Sequence, residues 1–171
     1  QGLAGILLHE QDGALLALHL LLECTGAAAT VGADISIAAV DGRDEEIVEE
    51  IRGLKRQGYR EVTLLGQTVN SYGRKLTPPI SFVELLRRID HLVDGQMRVR
   101  FTSPHPSDVT DELAVAIAEL PSLCEQIHLP VQSGSDRLLK MMRRNYTREV
   151  FFRKIDVVRK HVPRIVFSTD L

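Results

Sequence analysis

The 171-residue chain is poor in cysteine, has no excess of positive charge, and holds no apolar run long enough to cross a bilayer. Two cysteines, Cys24 and Cys124, cannot build a disulfide framework, and their scarcity points to a reducing compartment such as the cytoplasm. A formal net charge of -2 gives no general attraction for a polyanion, so a nucleic-acid partner requires a local basic patch or another domain. The leucine-rich run at 14–22 contains His19 and falls well short of the about 20 apolar residues of a spanning helix. No signal peptide is visible, and no membrane partner is expected.

What is present fits one ordinary domain. Hydrophobic residues make up 44% and charged residues 26%, and the length suffices to bury a substantial core. From position 44 onward, helix-like and strand-like segments alternate. Asp44 is a capping residue for a helix with Ile47, Val48, Ile51 and Leu54 on one face, and Gly58 is its stop. A β-branched strand at 61–65 follows. Ser81 and Glu84 form a capping box ahead of a helix presenting Phe82, Leu85, Leu86, Ile89 and Leu92. A strand at 97–102 comes next. Thr110 caps a helix with Leu113, Val115, Ile117 and Leu120 on its apolar face. Then come a strand at 126–129, a helix-like stretch at 136–142, a helix capped by Thr147, and a strand from 165 to 168. Recurring βα units imply parallel strands with right-handed crossovers. The fold class is therefore α/β, either part of a β/α barrel or a doubly wound sheet. In both, ligands bind at the carboxyl ends of the strands.

The stretch Gln126-Ile-His-Leu-Pro-Val-Gln-Ser-Gly-Ser135 is the most informative. Its apolar run ends in a polar tip and then opens a helix-like segment. Gln132, Ser133 and Ser135 supply donors and acceptors there, and Gly134 lets a ligand approach the backbone closely. A plain βα turn with a capping serine gives the same pattern.

Four segments resemble the radical-SAM methylthiotransferases, in particular the MiaB-type tRNA-modifying enzymes. They are Leu64-Leu-Gly-Gln-Thr-Val-Asn-Ser-Tyr-Gly73, Arg100-Phe-Thr-Ser-Pro-His-Pro106, His128-Leu-Pro-Val-Gln-Ser-Gly-Ser135 and Phe167-Ser-Thr-Asp-Leu171, in the family's order and at its spacing. The resemblance runs from about residue 45 to 171. It implies the open, partial (β/α) barrel of radical-SAM enzymes, S-adenosylmethionine (SAM) and a 4Fe-4S cluster. It also implies an activity that adds a methylthio group to C2 of N6-isopentenyladenosine beside the tRNA anticodon. The partners implied are tRNA and an electron donor.

The resemblance makes cofactor-binding candidates of Gln67, Asn70, Ser103, His105, His128, Gln132, Ser133, Arg143 and Asp170. Each has a plainer reading: Gln67 as a turn-stabilising amide, His105 as a surface imidazole, His128 as a core histidine, and Arg143 with Arg144 as a solvated helix end. The basic run of Lys140, Arg143, Arg144, Arg148, Arg153 and Lys154 is either a phosphate contact or solvated surface.

The chain departs from the family where the cluster belongs. The resemblance implies a cysteine triad at C-x3-C-x2-C upstream of the helix near Asp44, yet that region holds Cys24 alone. Cys124, just before a strand, reads as a buried structural thiol. Residues 1–43 do not resemble the family. An alanine-rich tract read two bases in gives NGC codons, which include the cysteine codon TGC. A reading-frame shift upstream of Asp44 is thus one expectation. A divergent first βα unit or a misplaced gene start is the other. The expected product is a fragment, incomplete at its C-terminus. The alternatives are a non-catalytic SAM-binding or interaction module that has lost its cluster, and the paralogous enzyme acting on a ribosomal protein.

Overall fold

The computed structural model describes residues 32–37, 44–66, 68–74, 76–102 and 104–170. The expectations for residues 1–31, including Cys24 and the frame shift, lie outside the described residues. Strands β1 (Ala33–Ser36), β2 (Glu61–Leu65) and β3 (Arg98–Phe101) form one parallel sheet in that order. Strands β4 (Gln126–His128) and β5 (Val166–Ser168) form a second parallel pair. A bridge between Val99 and Leu123 leads from the first toward the second, with Val99 N–H donating to Ser122 O at 2.7 Å and Cys124 N–H to Val99 O at 3.1 Å. Helices α1 (Asp44–Arg56), α2 (Phe82–Val93), α3 (Asp111–Glu119), α4 (Asp136–Met141) and α5 (Arg148–His161) alternate with the strands. The fold is α/β with parallel strands, as read from the sequence. Strand order follows chain order without the reversal that marks a doubly wound sheet. Among the described residues, no helix is long and apolar enough to cross a membrane.

Period-two alternation decides what the strands do. Ile35, Val62, Leu64, Val99, Phe101 and Ile127 are buried on one face and pack against the helices. Each such side chain is worth roughly 1.5–3 kcal/mol of burial. The helices meet them with Ile47 and Ile51 of α1, with Leu85, Leu86 and Ile89 of α2, and with Leu113 and Ile117 of α3. Phe82 meets Phe101 edge-on at 5.4 Å between centroids.

Local signals set the helix ends. Gly58, at φ +86°, closes α1 with Gly58 N–H bonded to Lys55 O and Tyr59 N–H to Leu54 O, the paired bonds of a Schellman stop. Asp44 lies inside the first turn of α1, with Glu45 and Glu46, and the trio complements the helix dipole. The capping box at Ser81 is half formed. Ser81 Oγ accepts from Glu84 N–H at 3.0 Å, but the Glu84 carboxylate takes Arg88 Nε at 3.3 Å instead of reaching back. A cationic neighbour one turn on out-competes the Ser81 amide for that carboxylate. Thr110 and Thr147 cap as expected, accepting from Leu113 N–H at 3.2 Å and Val150 N–H at 3.3 Å. Thr110→Ala is expected to cost about 1 kcal/mol in urea unfolding, the usual worth of a lost N-cap. Three strands are shorter than read: Met97, Thr102, Leu129 and Ile165 flank them, although Leu129 N–H still donates to Ser168 O at 2.8 Å and Thr102 N–H to Leu64 O at 3.1 Å. The sequence assigns no element before Asp44; β1 is an addition, too short to announce itself beside alanines and glycine.

Candidate functional site

The second face of the strands is polar. Register places Asp34, Thr63 and Arg100 in one row and Gln126, His128 and Ser168 along the β4–β5 pair. All are half-buried or exposed, in contrast to the apolar face. A chain of contacts crosses this face. Arg100 Nε pairs with Glu61 Oε1 at 3.1 Å, and Arg100 Nη1 donates to Gln126 Oε1 at 3.2 Å. Gln126 Nε2 donates to Ser168 Oγ at 3.2 Å, Ser168 Oγ lies 3.0 Å from His128 Nδ1, and His128 Nε2 lies 3.4 Å from Asp170 Oδ2.

The loops leaving the strand tips are tied to one another. Asn70, in the 3-10 turn Val69–Ser71 after β2, grips the backbone of His105 beyond β3. Its Nδ2 donates to His105 O at 3.2 Å and its Oδ1 accepts from His105 N–H at 2.9 Å. The His105 ring accepts from Ser107 N–H at 3.3 Å and stands edge-on to Tyr146 at 5.6 Å between centroids. The Tyr146 hydroxyl donates toward two successive carbonyls beyond β4, Pro130 O at 3.3 Å and Val131 O at 3.2 Å. Burial raises the Tyr146 phenol above its ordinary pKa, against the opposing pull of Arg144, so it remains a protonated donor.

Immediately after those carbonyls, Gln132 adopts φ +65°, a left-handed conformation uncommon for a residue with a side chain. Its N–H donates to Asp170 O at 3.1 Å, and Val131 N–H donates to Thr169 Oγ1 at 3.0 Å. Ser135 occupies the N-cap of α4 without a side-chain cap bond; Ser133 Oγ instead accepts from Ser135 N–H at 3.1 Å.

At the ends of β4 and β5 the His128 and Asp170 side chains thus face each other, and Gln132 is joined to Asp170 through backbone atoms, with Ser133 in the adjoining turn. Asn70 and His105 form a second group, joined to the first through Tyr146. Arg143 stands apart, just past the far end of α4 at φ +56°, where Arg143 N–H bonds to Lys140 O and Arg144 N–H to Leu139 O. That is the C′ position of a Schellman stop, where glycine is usual. Gln67 and Ser103 lie outside the described residues. Tyr146, Arg100, Gln126 and Ser168 are not among the sequence candidates. Strand alternation puts Gln126 on the same side of β4 as His128, register sets Ser168 opposite His128, and Arg100 joins them through its contact with Gln126.

Cys124 is half-buried. Burial pushes its thiol up, with Arg100 opposing, Glu61 adding and Arg98 opposing. Among the described residues, no group of three or more His, Cys, Asp or Glu side chains is placed to hold a metal ion.

The Radical SAM superfamily profile matches residues 35–171, from within β1 onward. The chain belongs to the radical SAM superfamily. It is also similar to proteins named tRNA-2-methylthio-N(6)-dimethylallyladenosine synthase. The one from Clostridium botulinum (strain Okra / Type B1) is 50% identical over 127 residues, covering 74% of this chain and 28% of that protein. Those from Clostridium beijerinckii and Carboxydothermus hydrogenoformans are each 48% identical over 129 residues, covering 75% of this chain and 28% and 29% of theirs. The similarity is to MiaB-type methylthiotransferases, and the chain spans little more than a quarter of the length of these relatives.

Proposed function

We propose that this chain is a central part of a radical-SAM tRNA methylthiotransferase, a partial (β/α) barrel whose β4 and β5 tips hold SAM. The facing pair of His128 and Asp170 at those tips carries the reading, with Gln132 tied to Asp170 by its backbone and kept in a costly left-handed conformation just ahead of α4. Those side chains, with Ser133, offer the mixed donors and acceptors that an amino acid and a ribose require. When bound, SAM supplies an electrophilic sulfonium centre. Gln132 and Ser133 would hold the nucleoside, and the His128–Asp170 pair would lie at the same strand ends. Asn70 and His105 shape the wall, with the Asn70 amide spent on the His105 backbone.

The cluster does not fit the residues present. The whole sequence has two cysteines, one short of the three thiolates such a cluster takes from the protein, and they stand a hundred positions apart at 24 and 124. No step through a cluster is derived for this chain, which is why a SAM-binding module without a cluster is the second reading.

For tRNA, the cations to weigh are Lys140, Arg143, Arg144 and Arg148, all exposed around α4 and the start of α5. Lys154 is committed to Val109 O at 2.6 Å, and Arg153 lies 3.9 Å from Glu149. An electron donor and a cytoplasmic setting complete the proposal. Equilibrium dialysis with SAM and anaerobic iron–sulfide reconstitution test it together. SAM is expected to bind, and no stoichiometric brown chromophore is expected to form. Absence of SAM binding overturns the site, and a stoichiometric chromophore overturns the statement that the cluster does not fit.

A further inference from the structure

We propose that Arg100, Gln126 and Ser168 are positioning residues that fix the neutral proton of His128 on Nε2, the nitrogen facing the strand tips. The functional meaning rests on the SAM-site reading, but the proton assignment follows from donor and acceptor types alone.

Arginine only donates. Arg100, steadied by Glu61, donates to Gln126 Oε1 at 3.2 Å, which fixes the Gln126 amide with its nitrogen toward Ser168. Gln126 Nε2 then donates to Ser168 Oγ at 3.2 Å. With one Oγ lone pair so occupied, the Ser168 proton is free to turn toward His128 Nδ1 at 3.0 Å, and the other ring nitrogen decides the direction of that contact. At the other end, an ionised Asp170 carboxylate only accepts, and it lies 3.4 Å from Nε2. Were Nε2 bare, two acceptors would face each other. The acceptor-only Asp170 selects Nε2–H, and the chain from Arg100 through Gln126 and Ser168 is oriented to match it. The 3.4 Å separation is long for a hydrogen bond, and the Asp170 side chain is 68% exposed. The Nε2 proton is thus held loosely and is available to a ligand oxygen arriving at the tips.

The full chain, labelled with 15N-histidine, reports the tautomer in long-range proton–nitrogen spectra, with His128 assigned by loss of its signal in His128→Gln. At alkaline pH the wild type is expected to show one form, with Nδ1 unprotonated. In Gln126→Glu the introduced carboxylate captures the Ser168 proton, leaving Nδ1 facing a lone pair. The neutral ring is then expected to shift toward the form protonated on Nδ1, read as the appearance of a protonated Nδ1 signal. Adding Ser168→Ala to Gln126→Glu separates this relay from the direct field of the new charge. Loss of the shift in the double variant supports the relay; persistence overturns it. A wild type with protonated Nδ1, or a mixture, also overturns it. If the tautomer follows these expectations while wild type and variants take up SAM equally, the relay stands and the placement of His128 in the SAM site falls.

Discussion

Tyr146→Ala is expected to lower stability by about 3–5 kcal/mol, the usual cost of emptying a large aromatic site, and to abolish SAM binding. The residue is 6% exposed, and its ring contacts both His105 and Phe151. Its hydroxyl holds the Pro130 and Val131 carbonyls immediately before left-handed Gln132. Alanine removes the packing, the two hydrogen bonds and the link between the β3 and β4 tips at once. Tyr146→Phe keeps the ring and loses only the hydroxyl, which costs about 1 kcal/mol plus the desolvation left on the carbonyls. The pair of variants separates the two contributions. Urea unfolding gives the stabilities, and dialysis gives SAM uptake. An alanine variant within 1 kcal/mol of wild type would show that the loops do not depend on this side chain. A phenylalanine variant with intact stability and tenfold weaker SAM binding would assign the hydroxyl to positioning.

Gly73→Ala is the second large effect, expected at about 2–5 kcal/mol. Gly73 sits at φ +76°, where any side chain is strained. A Cβ there would also press against Ile80 O and lie 2.7 Å from Ile80 Cγ2. The obstruction is backbone, so it cannot swing aside. The Gly73 carbonyl accepts from Leu76 N–H at 3.1 Å and Ile80 N–H at 3.3 Å, closing the loop that delivers Ser81 to cap α2. For a domain of this size, several kcal/mol is a fall in Tm of roughly 5–15 °C by calorimetry. Gly134 is the control, since nothing lies within 4 Å of the Cβ it would gain. Gly134→Ala is expected to unfold within about 0.5 kcal/mol of wild type. An equal response at both glycines would refute the steric account.

The sequence made the βα alternation legible because its helices carry strong end signals. Ser81, Thr110, Thr147 and Gly58 all act where their residue types say they should. It announced the polar turn at 130–135 for the same reason: polar residues interrupt an apolar strand. What it could not announce is where those polar groups spend their hydrogen bonds. Asn70 looks like a ligand from its place after β2, and only the folded loops show its amide engaged with His105. Arg143 looks like an anion-binding residue, and the structure gives it a helix-ending backbone conformation. Tyr146 sits between helices in the sequence, with no periodicity to mark it, and its importance arises wholly from contacts distant along the chain. The relay from Arg100 to Asp170 draws on three strands and the chain beyond β5, a long-range arrangement that no local window contains.

The division of each strand into an apolar side and a polar side has a consequence for how such a protein can change. Val62, Val99 and Ile127 answer to the core, while Thr63, Arg100 and Gln126 lie on the side the core does not constrain. Alterations on one side are nearly free of debts to the other, so new ligand preferences can accumulate along alternate positions while the scaffold persists. Selection can retune the chemistry of such a sheet one row at a time.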